Sequence, residues 1–205
     1  MLSSLYRPRQ FFAERARVSL GEATGIVLLA GLAQTFYLLF LLPELLPRFS
    51  SAKTLYVSAG LLIGAGGQIL TTGFYWFFYS GLFHSISLIF GGEGRFRRTV
   101  IYTGYGFGPL FLAGILNGFL SLLASRAVDP PSEIEAVDPY LTDVFAQDVF
   151  VWSKVVVLLV FLWQTWIWVG AMKHARTLSL KHATLTVCVP VGARIVWFVY
   201  RSNLL

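Results

Sequence analysis

The chain has three histidines, His84, His174 and His182, the residue type most often used in acid–base and metal chemistry. His84 stands close to Ser85 and Ser87, with Glu93 the one acid near it in sequence. A Ser–His nucleophile pair needs an acid to orient the ring, so these residues are the best catalytic candidates in the chain. The plainer reading is a boundary histidine that faces headgroups or a neighbouring helix. A metal site needs clustered His, Cys, Asp or Glu, and the histidines show no ligand-type spacing with acids. Gly91-Gly92-Glu93-Gly94 lacks the Gly-Lys-Ser/Thr ending and the preceding strand of a phosphate-cradling loop. No catalytic residue, metal or cofactor is therefore expected. Cys188 is alone, so no intrachain disulfide can form.

The elements that carry these residues are apolar. Of 205 residues, 56% are hydrophobic and only 13% charged, where a soluble domain usually carries about 25%. No Asp, Glu, Lys or Arg intervenes between Lys53 and Glu93, or between Arg98 and Arg126. A run of about 20 apolar residues is enough to cross the hydrocarbon layer as a helix. The sequence therefore predicts an all-α integral membrane protein. The net charge of +6 belongs beside membrane spans and anionic headgroups, not on nucleic acid.

Residues 1–22 read as a basic interfacial segment with a short amphipathic helix. Arg7, Arg9, Arg15 and Arg17 interleave there with Phe11, Phe12, Ala13 and Ala16, the aromatics dipping and the arginines at headgroup level. Residues 23–205 read as a five-span membrane domain, with spans at about 23–42, 56–83, 99–124, 149–171 and 183–200. The first is a retained span, not a cleaved signal peptide, and Pro43 is expected to end it. The second is one long or broken helix, bending at Gly81 if anywhere. Between spans three and four lies an acidic loop holding Asp129, Glu133, Glu135, Asp138, Asp143 and Asp148. Pro130, Pro131 and Pro139 discourage a long helix there.

With the amino terminus inside, the inner segments hold Arg7, Arg9, Arg15, Arg17, Arg95, Arg97, Arg98, Lys173, Arg176 and Lys181. The outer segments hold Arg48, Lys53, Arg126 and Arg201. The location expected is the cell membrane, and the positive-inside rule then predicts a cytosolic amino terminus and an external carboxyl terminus. It also puts the basic glycine turn at Gly91–Arg98 in the cytosol, facing anionic headgroups or a protein partner.

In lipid, helices associate through small residues. Span three carries Gly104, Gly108, Gly114 and Gly118 on one face, and span two carries Gly60, Gly64 and Gly67. These two faces are expected to pack together. The intramembrane polar residues are Gln34, Gln68, Asn117, Lys154, Gln164 and Arg194. Gln34 and Gln68 lie near mid-membrane and could bond to each other. Lys154 and Arg194 are shallow enough to snorkel, or to hold the acidic loop down as a cap.

Several short motifs resemble the Yip-domain family, the Ypt/Rab-interacting membrane proteins, especially its prokaryotic members. They are Arg7-Pro8-x-x-Phe11-Phe12; the boundary His84; Gly91-Gly92-x-Gly94-x-Phe96, with Arg95, Arg97 and Arg98 alongside; Tyr102-x-Gly104-Tyr105; and Pro109. The Asp-Leu-x-Gly-Pro signature of eukaryotic members has no counterpart before the second span, so Rab binding is not carried over. The resemblance implies a non-enzymatic membrane protein that organises membranes or recruits partners, in which a second copy could also be a partner. The competing readings are a small-solute permease or channel subunit, with a polar cavity at Gln34, Gln68 and Gln164, and a membrane-embedded enzyme.

Overall fold

The computed structural model describes residues 5–14, 18–45, 51–131 and 133–201. Arg15, Arg17 and Arg48, used above to argue orientation, lie outside the described residues. Every regular element among the described residues is helical: α1 (Pro8–Glu14), α2 (Leu20–Ala33), α3 (Leu38–Leu45), α4 (Ser51–Ile89), α5 (Phe96–Tyr105), α6 (Gly108–Ser125), a 3-10 turn (Ile134–Ala136), α7 (Val137–Ala146), α8 (Val149–Ala175) and α9 (Leu180–Arg201). Five stretches are long and apolar enough to cross a membrane: Leu20–Leu41, Thr54–Ile89, Phe96–Ser125, Val151–Ala175 and Leu180–Arg201. The protein is an all-α bundle of membrane-spanning helices.

Span three is the hub, and it is broken. Pro109 explains the break, because a proline ring collides with the carbonyl four residues back. That carbonyl belongs to Tyr105, the last residue of α5, and the chain turns through Gly106 and Phe107 before α6 begins. The expected single helix over 99–124 is thus two helices. Trp168 of α8 occupies the space beside the break, and a Cβ on Gly106 would lie 2.0 Å from its indole nitrogen.

Side-chain donors from three neighbouring helices end on carbonyls of the broken span. Trp76 Nε1 of α4 donates to Val100 at 2.8 Å, and Trp168 Nε1 of α8 donates to Thr103 at 2.8 Å. Gln164 Nε2 of α8 donates to Gly106 at 3.1 Å, and Gln34 Nε2 at the end of α2 donates to Leu110 at 2.7 Å. Such bonds contribute about 0.6 kcal/mol each on average in membrane proteins. Their value is in fixing register where apolar contact alone would let helices slide.

Four expectations need correction. Three of the four glycines of span three pack on span one, not on the glycines of span two; Gly104 also faces Trp76 of α4, and a Cβ on Gly108 would meet Leu5 at 2.9 Å. A Cβ on Gly104 would meet Ala23 at 2.8 Å, one on Gly114 would meet the Ala33 carbonyl at 2.4 Å, and one on Gly118 would meet Phe36 at 2.4 Å. Gly60, Gly64 and Gly67 have nothing within 4 Å. Span two does contact span three, but through the Trp76 end of α4, so its glycines face away from the bundle. Secondly, Gln34 bonds to Leu110, and Gln68 is exposed on α4, so the two do not pair. Thirdly, Pro43 lies inside α3, after a turn at residues 34–37. The second span is one long helix, as expected, and α4 runs unbroken through Gly81. At 39 residues α4 is about 58 Å long, roughly twice the hydrocarbon thickness. It must tilt steeply or run on past the hydrocarbon.

The fourth correction concerns the amino-terminal helix. Phe11 and Phe12 of α1 are 5% and 2% exposed, and they are covered by protein, not lipid. Phe12 stacks on Tyr102 at 5.1 Å and meets Tyr105 edge-on at 5.8 Å. Pro8 seats against Gly170 of α8. Bringing aromatic residues together at these distances adds about 0.5–1.5 kcal/mol per pair beyond area burial. A smaller cluster at the other end joins Leu41, Val57, Ala124, Tyr140 and Val144, so α7 folds back over the bundle. Pro139 is accommodated in the first turn of α7, where its missing N–H has no helical partner to lose.

Candidate functional site

The glycine turn after α4 is built by backbone geometry. Gly91 has φ +70° and Gly94 has φ +110°, in the region that favours glycine. The Gly92 N–H donates to the Ser87 carbonyl at 2.8 Å and the Gly91 N–H to Leu88 at 3.1 Å. This nested pair is the Schellman arrangement that stops a helix and satisfies its last carbonyls. A Cβ on Gly92 would meet the Ser87 carbonyl at 2.7 Å, so the turn has no room for a larger residue there.

A second turn, after α8, locks onto the first. Arg176 is 1% exposed. Its Nε donates to Ser87 Oγ at 2.8 Å, its Nη2 to the Gly92 carbonyl at 2.6 Å, and its Nη1 to the Gly94 carbonyl. In return the Glu93 N–H donates to the Arg176 carbonyl at 3.0 Å. Burial lowers the Arg176 pKa from its ordinary value. Three oxygen acceptors in fork geometry are what hold a guanidinium in such a place.

The clamp leaves the other arginines free to face outward. Arg95, Arg97 and Arg98 are all exposed. With Val18, Gly94, Ile101 and Tyr102 they line a hollow of about 540 Å³. The Arg98 guanidinium lies 5.4 Å from the centre of the Tyr102 ring. Phe96 packs edge-on against His84 at 5.3 Å, and His84 Nδ1 lies 3.3 Å from Thr99 Oγ1. The end of the turn and the first residues of α5 therefore present three cations around a concave surface.

The residues singled out in the sequence separate into distinct places. His84, Gly91, Gly92, Gly94, Arg95, Phe96, Arg97 and Arg98 gather at the turn. Tyr102, Gly104 and Tyr105 lie in the core, where the Tyr105 hydroxyl donates to the Glu22 carboxylate. Pro109 sits at the helix break. Ser87, in the Ser–His candidate, donates its hydroxyl to the His84 backbone carbonyl at 2.6 Å and accepts from Arg176. It is committed to the clamp and not to the imidazole. Gln34 and Gln164 are engaged by the carbonyls of Leu110 and Gly106, and Gln68 is exposed on α4. Asn117 Oδ1 accepts from Ser153 at 2.7 Å and ties α6 to α8. Lys154 is half-buried on α8. Arg194 does not reach the acidic loop: its guanidinium sits over the rings of Phe161, Tyr75 and Tyr79.

Two features escaped the sequence reading. Arg176 was counted there as one more surface cation, although the carbonyl-rich glycine turn on the same membrane side was a signal for a buried guanidinium. The Gly106–Trp168 contact joins residues far apart in the chain, and no local pattern announces it.

The sequence matches the Yip1 domain over residues 2–201. An uncharacterized protein of Methanocaldococcus jannaschii is 44% identical over 42 residues, which is 20% of this chain and 30% of that relative's length. No solved structure matches.

Proposed function

Since this chain belongs to the Yip1 domain family, we propose that it is a membrane-organising, partner-recruiting scaffold and not a catalyst. In this reading the protein sits in the cell membrane with its amino terminus in the cytosol and its carboxyl terminus outside. The glycine turn meets anionic headgroups or an acidic partner surface on the cytosolic side. What supports it is the Arg176 clamp, which ties down the glycine turn beside exposed Arg95, Arg97 and Arg98. A pre-ordered cation cluster binds anions with less conformational entropy lost than a flexible basic tail would lose.

The test is recovery from native membranes of wild type and of a variant carrying R95A, R97A and R98A, with R126A as a control on the acidic-loop side. The triple variant is expected to lose co-purifying partners or anionic lipid that R126A keeps. An unchanged set of partners and lipids in the triple variant would overturn the recruiting role.

A further inference from the structure

We propose that a groove between α4, α8 and α9 is a binding site for one anionic phospholipid. Its arginine end lies away from the glycine turn, and it does not depend on the scaffold reading. The groove encloses about 830 Å³, the size of a small-molecule site. Its walls are aromatic and aliphatic, with Phe78 and Trp197 on the exposed rim. The small residues Pro190 and Ala193 face it from α9 and leave the space unfilled.

Charge identifies the occupant. Arg194 and Arg201 both line the groove, and none of the lining residues is acidic. The Arg194 guanidinium lies 4.0 Å from the centre of the Phe161 ring and 5.5 Å from those of Tyr75 and Tyr79. Ring faces stabilise the cation and the Tyr79 hydroxyl accepts a hydrogen bond from it, but neither supplies an anion. The edge of a guanidinium carries its N–H donors in a fork that fits phosphate. Arg201 stands seven residues further along α9, about 10.5 Å toward the helix end.

A phospholipid matches this layout end to end. Its phosphate takes the N–H edge of Arg194, Arg201 closes over it from the rim, and one acyl chain runs along Leu82 and Ile86. Lipid tails are as apolar as leucine, so seating the chain gives little preference over bulk lipid. Selectivity therefore comes from the two arginines, and a zwitterionic lipid is bound less well.

Native mass spectrometry of the full-length protein in detergent, titrated with phosphatidylglycerol or phosphatidylcholine, tests this. Wild type is expected to retain one phosphatidylglycerol against at least tenfold weaker phosphatidylcholine. R194Q with R201Q should remove that preference. A193F keeps both arginines but obstructs the groove, and it should reduce phosphatidylglycerol binding by a similar factor. The R95A/R97A/R98A variant should bind as wild type does, which separates this site from the turn. Equal retention of the two lipids by wild type overturns the proposal, as does undiminished phosphatidylglycerol binding by A193F. A193F decides the matter if the double arginine variant fails to fold. A dimer that A193F abolishes, with no lipid adduct in wild type, would also overturn it and give the groove to a second copy of the chain.

Discussion

Replacing Arg176 with alanine tests whether one side chain orders the glycine turn. The guanidinium makes three hydrogen bonds, to Ser87 Oγ and to the carbonyls of Gly92 and Gly94. A hydrogen bond from a charged donor contributes roughly 1.5–3 kcal/mol net, so three amount to about 5–9 kcal/mol. Burying the cation takes back several kcal/mol, and its three hydrogen-bond acceptors are neutral oxygens. The difference is about 3 kcal/mol, which is roughly a hundredfold in a local opening equilibrium.

Hydrogen exchange reads that equilibrium directly. The Gly92 and Glu93 amides are the reporters, because the first closes the glycine turn on Ser87 and the second crosses to Arg176 in the other turn. In R176A they are expected to exchange about 100-fold faster than in wild type, while amides in the middle of α8 stay protected. R176K should fall between, since an ammonium keeps the charge but cannot span three acceptors as a planar fork does. If the Gly92 and Glu93 amides of R176A exchange within about threefold of wild type, the glycine geometry alone holds the turn and the reasoning fails.

Three further outcomes are expected. Gly106→Ala drives a methyl group into the Trp168 ring and should lower stability by about 1–3 kcal/mol or more in thermal unfolding; a Trp168→Leu partner should recover part of that loss in a double-mutant cycle. Gly114→Ala meets the Ala33 backbone and should destabilise, whereas Gly64→Ala meets nothing and should gain up to about 1 kcal/mol of helix propensity; a destabilised Gly64→Ala would mean that the α4 glycine face is covered. In a Cys188→Ser background, a cysteine replacing exposed Glu93 should resist an impermeant maleimide applied to intact cells, and one replacing exposed Asp143 should react. The opposite labelling pattern would invert the orientation.

The spans were legible because membrane crossing is a property of local composition. Charge-free runs such as the one from Lys53 to Glu93 announce a helix whatever it touches. Helix faces were not legible in the same way. Gly60, Gly64 and Gly67 have the same spacing as packed glycines elsewhere, yet they face away from the bundle. The difference is made by Trp76, whose bond to Val100 sets how α4 is rotated against α5. The break in span three was written in Pro109, but an apolar stretch of membrane length reads as one helix unless the proline's clash with Tyr105 is weighed. At the turn the glycines and outward arginines were visible. The burial of Arg176 was not, because charge counting treats every arginine near a membrane boundary as solvated.

The two halves of the stretch from Gly91 to Pro109 solve one problem by two means. A carbonyl oxygen has two lone pairs, so it can keep its helical bond and still accept a donor from a neighbour. Within the membrane, the carbonyls of Val100, Thr103, Gly106 and Leu110 accept indole and amide N–H groups from α4, α8 and the end of α2. These acceptors fall about one per helical turn, which gives each neighbour its own height on the hub. At the boundary, the carbonyls of Gly92 and Gly94 accept the charged fork of Arg176 instead. The donor changes from neutral to charged where the surroundings change from hydrocarbon to headgroup, because there the cost of holding a cation falls. Glycine recurs along the stretch for a matching reason. Each backbone acceptor is useful only if the neighbouring chain can come close, and at Gly94, Gly104 and Gly106 a side chain would stand in its way.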